Sequence, residues 1–441
     1  MKRRAFLGTT AGTVAVISGV AGCAQEQKES PVSLPSVTVN GKLAGKTLEE
    51  LRDLYRYDLF EDYIPFVYKY VVDHEYGGFM CNTDRDGTNI TKNKKTWYEG
   101  RGIWASSFLY NKLDPDPQHL EVARKSVEFI LKNKPEGDRF WPQTMTREGK
   151  PITWISEVYG DLFVATGLSE YSKAVGDDTY WNMARDIMLK CMRMYDSPDY
   201  GKSINGSEEL SPHGQRYLGH WMIFIRLATQ MLEFKSDPEV EAVADRCIAA
   251  IMNYHFNPEY ELLNEELPHD MIRRPDEEYN QASLGHGTET LWMLMFEAYR
   301  RKDKKLFELA AERFKRHVEV AWDDIYGGAF TELNVETMVP VLSKALWLQE
   351  EILIGTLFLI EHTGDEWAKQ WYGKMYTYVR DKYSLKQYGF PIWILYADRK
   401  VTFERNYNRV GNFHHPRHLM MNLLALDRMI ERGGKISNYF G

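Results

Sequence analysis

The chain has 441 residues, 44% hydrophobic and 27% charged, with a formal net charge of −8 and a pI near 5.9. An acidic balance without a basic block excludes a nucleic-acid surface and a polybasic membrane patch. Cys23, Cys81, Cys191 and Cys247 show no metal-type spacing and no pairing pattern, so neither a disulfide framework nor a thiolate metal site is expected.

Taken in chain order, residues 1–23 read as an address. Lys2-Arg3-Arg4-Ala5-Phe6-Leu7 is a twin-arginine start, and the Gly/Ala-rich apolar run that follows ends in Val20-Ala21-Gly22-Cys23. That ending resembles the lipobox of bacterial lipoproteins and predicts a lipid anchor on Cys23 after export, on the periplasmic or outer side of a membrane; an ordinary secretory signal is the alternative. Residues 24–45, rich in Gln, Glu, Ser, Pro and Val, read as a flexible tether. From residue 46 to 441 no linker interrupts the chain, which predicts a single domain. The oligomeric state stays open, a homodimer included.

Apolar residues recurring at three and four predict helices over 47–73, 101–113, 117–133, 156–175, 179–194 and 214–234. The second half gives 238–255, 286–302, 304–321, 346–364, 366–382 and 415–432. Odd-numbered helices carry charge on one face, like an outer layer; even-numbered ones are apolar nearly all round, like an inner layer. Tyr76-Gly77-Gly78-Phe79 is echoed by Tyr326-Gly327-Gly328-Ala329-Phe330 and, more faintly, by Tyr388-Gly389-Phe390. Each reads as a small hairpin between an odd and an even helix. Twelve helices in six hairpins predict an all-α (α/α)6 barrel with short β-hairpins in its connections; an open solenoid of helix pairs shares the periodicity.

The unusual residues gather at the starts of the even helices. Trp97, Arg101 and Trp104 open the second; Ser156, Glu157 and Tyr159 the fourth; Arg216 and His220 the sixth; His286 and Glu289 the eighth. The tenth carries Lys344, Trp347, Gln349 and Glu351, and the twelfth His414 and Arg417. In a closed barrel these starts surround one hole, so the residues line one pocket. His286 and His414 are the candidate acid/base pair, because imidazole exchanges a proton near neutral pH. Glu289, at i+3 from His286, shares its helix face and is a candidate to orient the ring. Trp97, Trp104, Glu157, Trp347, Gln349 and Arg417 are candidate substrate contacts, with Trp393 a further candidate platform. His415 and His418 next to His414 raise the question of a metal. No carboxylate or cysteine has ligand spacing beside them, so no metal is expected.

These blocks resemble the N-acylglucosamine 2-epimerase family from about residue 50 to 432. The GGF hairpin with Arg101-Gly102-Ile103-Trp104 is similar to its opening block, and Gly285-His286 with Glu289 and Trp292 to its central histidine motif. Lys344-Ala345-Leu346-Trp347-Leu348-Gln349-Glu350-Glu351 resembles its Lys-x-Trp-Trp-x-His/Gln-x-Glu block. Phe413-His414-His415-Pro416-Arg417 resembles its Phe/Tyr-His-x-Pro-Arg block. The resemblance implies an (α/α)6 barrel that inverts carbon 2 of a reducing sugar, or a related aldose–ketose isomerisation, without cofactor. It implies that His286 and His414 exchange the carbon-2 proton, that Arg101 holds the enediolate oxygen, and that Glu289 and Glu351 orient the imidazoles.

The chain departs from the family pattern at Val410, where a lysine is usual and Arg409 is adjacent, and at Leu346, which replaces a tryptophan. Cellobiose-type members carry a third histidine on the sixth helix. The corresponding position here is Met222, with His220 two residues away and so expected on a different face. This is closer to the N-acyl-hexosamine branch, whose members are typically intracellular and respond to ATP. Two other readings stay open: a glycoside hydrolase or lyase on the same barrel, using carboxylates such as Glu157, Glu289 and Glu351, and a surface glycan-binding lipoprotein.

Overall fold

The computed structural model describes residues 34–440, apart from 155–156, 202–213, 275–278, 384–393, 397–398 and 401–411. Cys23, Ser156, Trp393, Arg409 and Val410 therefore lie outside the described residues. Helix α1 (Leu48–Tyr57) runs through a π-turn (Asp58–Tyr63) into α2 (Ile64–Tyr70), making one interrupted helix. It is followed by α3 (Thr96–Lys112), α4 (Pro117–Lys132), α5 (Tyr159–Val175), α6 (Asp178–Tyr195) and α7 (Leu218–Leu232). Then come α8 (Pro238–Ala249), α9 (Leu284–Arg301), α10 (Lys304–Ala321), α11 (Leu346–Thr363), α12 (Glu366–Lys382) and α13 (His414–Glu431).

The ring closes. Inner helices pack in the order α3, α5, α7, α9, α11, α13, and α13 returns to α3. Each has an outer partner: α4, α6, α8, α10 and α12 for the first five, and the N-terminal α1 for α13. The division follows from composition. Helix α11 is buried over nearly its whole length, whereas α10 buries one stripe from Phe307 through Phe314 to Val318. A helix apolar all round is stable only where other helices surround it.

Capping separates the two layers as well. Asp116, Asp177, Asp237, Asp303 and Asp365 cap the outer helices α4, α6, α8, α10 and α12, each accepting from a backbone N–H of the first turn. The inner helices are entered from strands or loops instead. Of their N-cap residues, Lys95, Val158, Tyr217, Ala345 and Phe413 make no side-chain cap bond, and only Ser283 does, to His286 N. Several entry N–H groups are held by neighbouring loops instead, Thr96 N by Gln143 O, Leu218 N by Glu265 O and Gly285 N by Thr331 O, and the positive dipole ends of the inner helices lie at one end of the barrel.

Short antiparallel ladders stand at that end. Lys94–Lys95 pairs with Thr144–Met145 ahead of α3, Arg216–Tyr217 with Glu266–Leu267 ahead of α7, and Gln281–Ser283 with Glu332–Asn334 ahead of α9. Ser343–Ala345 pairs with Ile394–Tyr396 ahead of α11.

One expectation is corrected. The tether was placed over residues 24–45, but Pro35–Lys46 belongs to the folded body, whose compact unit begins at Pro35. Val37 and Leu43 are buried, and Pro35 accepts from Ile436 N at 3.0 Å. Two apolar side chains spaced among polar ones are enough to dock a segment that composition alone marks as flexible.

Candidate active site

Two imidazoles flank one indole at the mouth of the ring. Trp347 lies 5.7 Å from the His286 ring and 5.3 Å from the His414 ring, centroid to centroid. Gly285 makes this possible: it sits where a Cβ would drive into the Trp347 ring. Helix α9 therefore begins with glycine then histidine, so that the indole passes close to the backbone.

The environments of the two histidines differ. His286 keeps 30% of its side-chain surface open, and its Nδ1 lies 2.9 Å from Glu265 Oε1. Burial works against its charged form, but the Glu265 carboxylate more than offsets it, with Glu289 assisting, and raises His286 to about 9. His414 is buried, and its Nδ1 lies 2.8 Å from Glu351 Oε1. Its pKa is pushed well below the ordinary histidine value by burial first, and then by the Arg417 and Arg101 guanidiniums. A carboxylate only accepts, so the contacts with Glu265 and Glu351 favour a hydrogen on each Nδ1. At neutral pH His286 is an imidazolium that can donate, and His414 a neutral imidazole that can accept. Environments that push a pair's pKa values apart set up acid and base roles.

Arg417 organises the floor. It is fully buried, and its Nη2 donates to Glu289 Oε1 and to Glu351 Oε1, both at 2.5 Å. Trp292 Nε1 donates to the other Glu351 oxygen at 2.8 Å. Glu289, Glu351 and His414 are close enough together to hold a metal ion, but the guanidinium already occupies the cationic position between the two carboxylates.

Arg101 stands on the α3 side. Its guanidinium lies 4.1 Å from the Phe163 ring centroid, 4.9 Å from that of Phe413 and 5.2 Å from that of Trp97, and it donates to the Tyr159 hydroxyl at 3.1 Å. Its buried Nε has no hydrogen-bond partner. Next to it, Trp97, Glu157, Trp141 and Gln143 line a cavity of about 250 Å³. His220 Nε2 is 3.8 Å from Glu157 in this wall, so His220 points inward and not to a separate face, while Met222 is buried.

Four expectations change. Glu289 does not touch His286; its partner is Arg417, and Glu265 is the carboxylate on His286. Trp104 is a core residue, buried, stacked on Phe108 at 4.9 Å and bonded through Nε1 to Gln230. Gln349 is buried and its amide clamps the backbone of Ala329 and Ala345. Arg417, with no exposed surface, touches Glu289, Glu351 and His414, and so acts on a ligand only through them. Trp97, Arg101, Glu157, Trp347, Glu351, His286 and His414 remain at the opening or directly behind it.

Glu265 was missed for a physical reason. It precedes Glu266 in a two-residue ladder, and so short a strand gives no alternation from which to tell the pocket-facing glutamate from its neighbour. Its position is set by backbone: its carbonyl accepts from Leu218 N at 2.7 Å, and its N–H donates to Gln281 at 2.8 Å. This pins it between the entries to α7 and α9.

The barrel of six helix pairs thus carries two carboxylate-bound histidines, His286 and His414, and the Arg101 guanidinium around one mouth. The N-acylglucosamine 2-epimerase (GlcNAc 2-epimerase) family profile matches residues 77–416. The chain belongs to that family and is a carbohydrate isomerase of the 2-epimerase class. It is 24% identical to the N-acylglucosamine 2-epimerase of Mus musculus over 387 residues, covering 84% of this chain and 90% of the relative. Its fold is shared with a sugar epimerase from a ruminal bacterium, at TM-score 0.71 and 20% identity over 88% of this chain and 100% of the other. It is shared too with a cellobiose 2-epimerase from Bacillus thermoamylovorans, at TM-score 0.75 and 17% identity over 85% and 99%.

Proposed function

We propose that the chain inverts carbon 2 of a reducing sugar of the N-acylglucosamine/N-acylmannosamine type, by proton transfer between His414 and His286. The observation that carries this reading is that both imidazoles lie against the Trp347 indole, at 5.7 and 5.3 Å, each bound through Nδ1 to its own carboxylate. After ring opening the aldehyde acidifies the proton on carbon 2. Neutral His414 removes it, and protonated His286 returns one from the other face. In the reverse direction the roles exchange. Between the two transfers the substrate is an enolate, a 2-acylamino enolate for an N-acyl sugar and an enediolate where carbon 2 carries a hydroxyl, whose oxygen on carbon 1 needs a cationic donor. Arg101, held in its aromatic cradle, supplies it. Glu265 and Glu351 hold the imidazoles in register, and Trp347 offers a face to the sugar.

The amino-sugar preference is supported by the family matched and by Met222 where cellobiose-type members have histidine. The hydrolase reading is weaker, because Glu289 and Glu351, the carboxylates weighed with Glu157 for it, are both engaged by Arg417. The test is turnover of N-acetylglucosamine against N-acetylmannosamine, then of glucose, mannose and cellobiose. Inversion of cellobiose alone would refute the substrate assignment and leave the epimerase chemistry standing.

We also propose twin-arginine export and lipid attachment at Cys23, supported by Arg3-Arg4 and the run ending at Cys23. Cys81, Cys191 and Cys247 are buried free thiols, so the described fold needs no disulfide.

A further inference from the structure

Behind the active-site floor lies a second cavity, of about 110 Å³, enclosed by the π-turn, α11, α12 and α13. Asp58, Asp62, Glu350, Arg380, His415 and His418 line it. Glu350 and His415 each follow or precede a residue of the catalytic floor by one position and project from the same helices in another direction. Both fall at the x positions of the two motifs quoted above, so neither belongs to the pattern that defines the epimerase site.

We propose that Glu350, His415 and His418 form a binding site for a divalent transition-metal cation of the zinc type. One ligand atom from each lies within 4.8 Å of the others. Two imidazoles and a carboxylate are a donor set that zinc accepts. Two buried atoms in this cluster, Glu350 Oε2 and His418 Nδ1, have no hydrogen-bond partner. Such atoms are few in folded proteins, and an ion would satisfy both. His418 Nδ1 is 3.6 Å from Glu350 Oε1, beyond hydrogen-bond reach and consistent with a gap for an ion between them.

The surroundings prepare the ligands. His418 Nε2 lies 3.0 Å from the Tyr55 hydroxyl, which also accepts from Asn422 at 3.1 Å and contacts Tyr372 at 3.1 Å. An Nε2–H donated to Tyr55 leaves the Nδ1 lone pair facing the cavity, the outer-shell arrangement that orients metal-bound histidines. Glu350 is buried, and His415 Nδ1 shares a short hydrogen bond with its Oε1, which an ion held by both would replace. The carboxylates of Asp58, Asp62 and Glu350 face the single Arg380 guanidinium, which pairs with Asp58. With both imidazoles neutral, as ligation requires, three carboxylates against one guanidinium leave two negative charges for a dication. The π-turn matters here, since it carries both Asp58 and Asp62 to the cavity, and π-turns are frequent at functional sites. The carboxylate of this cluster comes from α11, 65 residues away from His415, where ligand spacing along the sequence does not reveal it.

The test uses the full tag-free chain, stripped with chelator and titrated with Co2+ by visible absorption and with Zn2+ by calorimetry. One ion per chain is expected. Glu350→Gln and His418→Asn should each weaken Zn2+ by about 10–100-fold, while His414→Asn leaves binding unchanged. Circular dichroism checks that each variant folds, and His415→Ala, nearer the surface, replaces any that does not. The proposal is overturned by absence of a Co2+ band, by binding that survives both Glu350→Gln and His418→Asn, or by binding lost in His414→Asn but kept in His418→Asn.

Discussion

Glu265, 2.9 Å from His286 Nδ1, raises the His286 pKa to about 9. On the proposed mechanism, the direction in which His414 is the base requires His286 protonated and His414 neutral. In that direction activity should fall as pH rises through about 9, where His286 loses its proton. On the acid side it should fall only below the ordinary histidine range, because His414 is shifted down. Glu265→Gln removes the charge that raises His286 and leaves burial, which lowers it. The alkaline limb of kcat/KM should then move from near 9 to the ordinary histidine value of about 6.5 or below. An alkaline limb that stays in place in this variant would show that Glu265 does not govern His286. Arg101→Lys should cost about 10²–10³ in kcat, the usual loss of one oxyanion donor, since an ammonium cannot reproduce the planar fork held among Trp97, Phe163 and Phe413. At this scale the sequence was informative where a side chain sits on a long helix. His286, His414 and Arg101 were readable from their helix starts. Glu265 was not, and Gln349 and Trp104 were read as pocket residues because sequence position does not distinguish a residue facing the hole from one facing the hairpin behind it.

The hairpins between outer and inner helices are a repeated device. Asp73 accepts from Gly77 N at 2.9 Å, and Lys94 Nζ reaches Asp73 at 3.1 Å and the Gly77 carbonyl. Asp323 accepts from Gly327 N at 2.9 Å, and Lys344 Nζ reaches Asp323 at 2.5 Å and Gly327 O at 2.7 Å. The glycine pairs at 77–78 and 327–328 have φ near +80°, which lets both turns close tightly. Five residues after each lysine, Glu99 or Gln349 accepts from the hairpin N–H of Phe79 or Ala329. Two copies of one lock thus fix the entries of α3 and α11. Lys344→Met should destabilise by about 3–5 kcal/mol, because it strands Asp323 as a buried charge without its partner. Thermal or urea unfolding measures this; a loss under about 1 kcal/mol, the worth of a surface pair, would contradict it. The GGF echo was legible in the sequence as a repeat. The lysine that locks it was not, since its partner lies 21 residues away across the turn.

For the whole molecule, ring closure is what brings α3 and α13 together. Asn412 Nδ2 donates to Tyr98 O at 2.7 Å across a separation of 314 residues, and so sets His414 near Arg101. The alternation of amphipathic and wholly apolar helices made the barrel readable, and each predicted helix falls within a few residues of its observed span. What alternation cannot carry is where an end segment docks, and Pro35–Lys46 shows it. Export by the proposed route would place the protein where ATP is absent. Adding ATP should therefore leave kcat and KM unchanged; a strong activation would argue that the chain works in the cytoplasm. Cys23→Ala should release the body from the membrane fraction or leave an unprocessed precursor, and unchanged processing and membrane association would refute the anchor. The central claim is proton exchange at carbon 2 by two histidines on opposite faces, and a proton NMR time course in deuterium oxide tests it most directly. Wild-type turnover of N-acetylmannosamine should place solvent deuterium at carbon 2 of the product. His286→Asn and His414→Asn should each lose inversion by about 10²–10⁴-fold, one of them still exchanging the proton on its own face. Inversion without deuterium at carbon 2, or a double histidine variant that epimerises at the wild-type rate, would contradict the account.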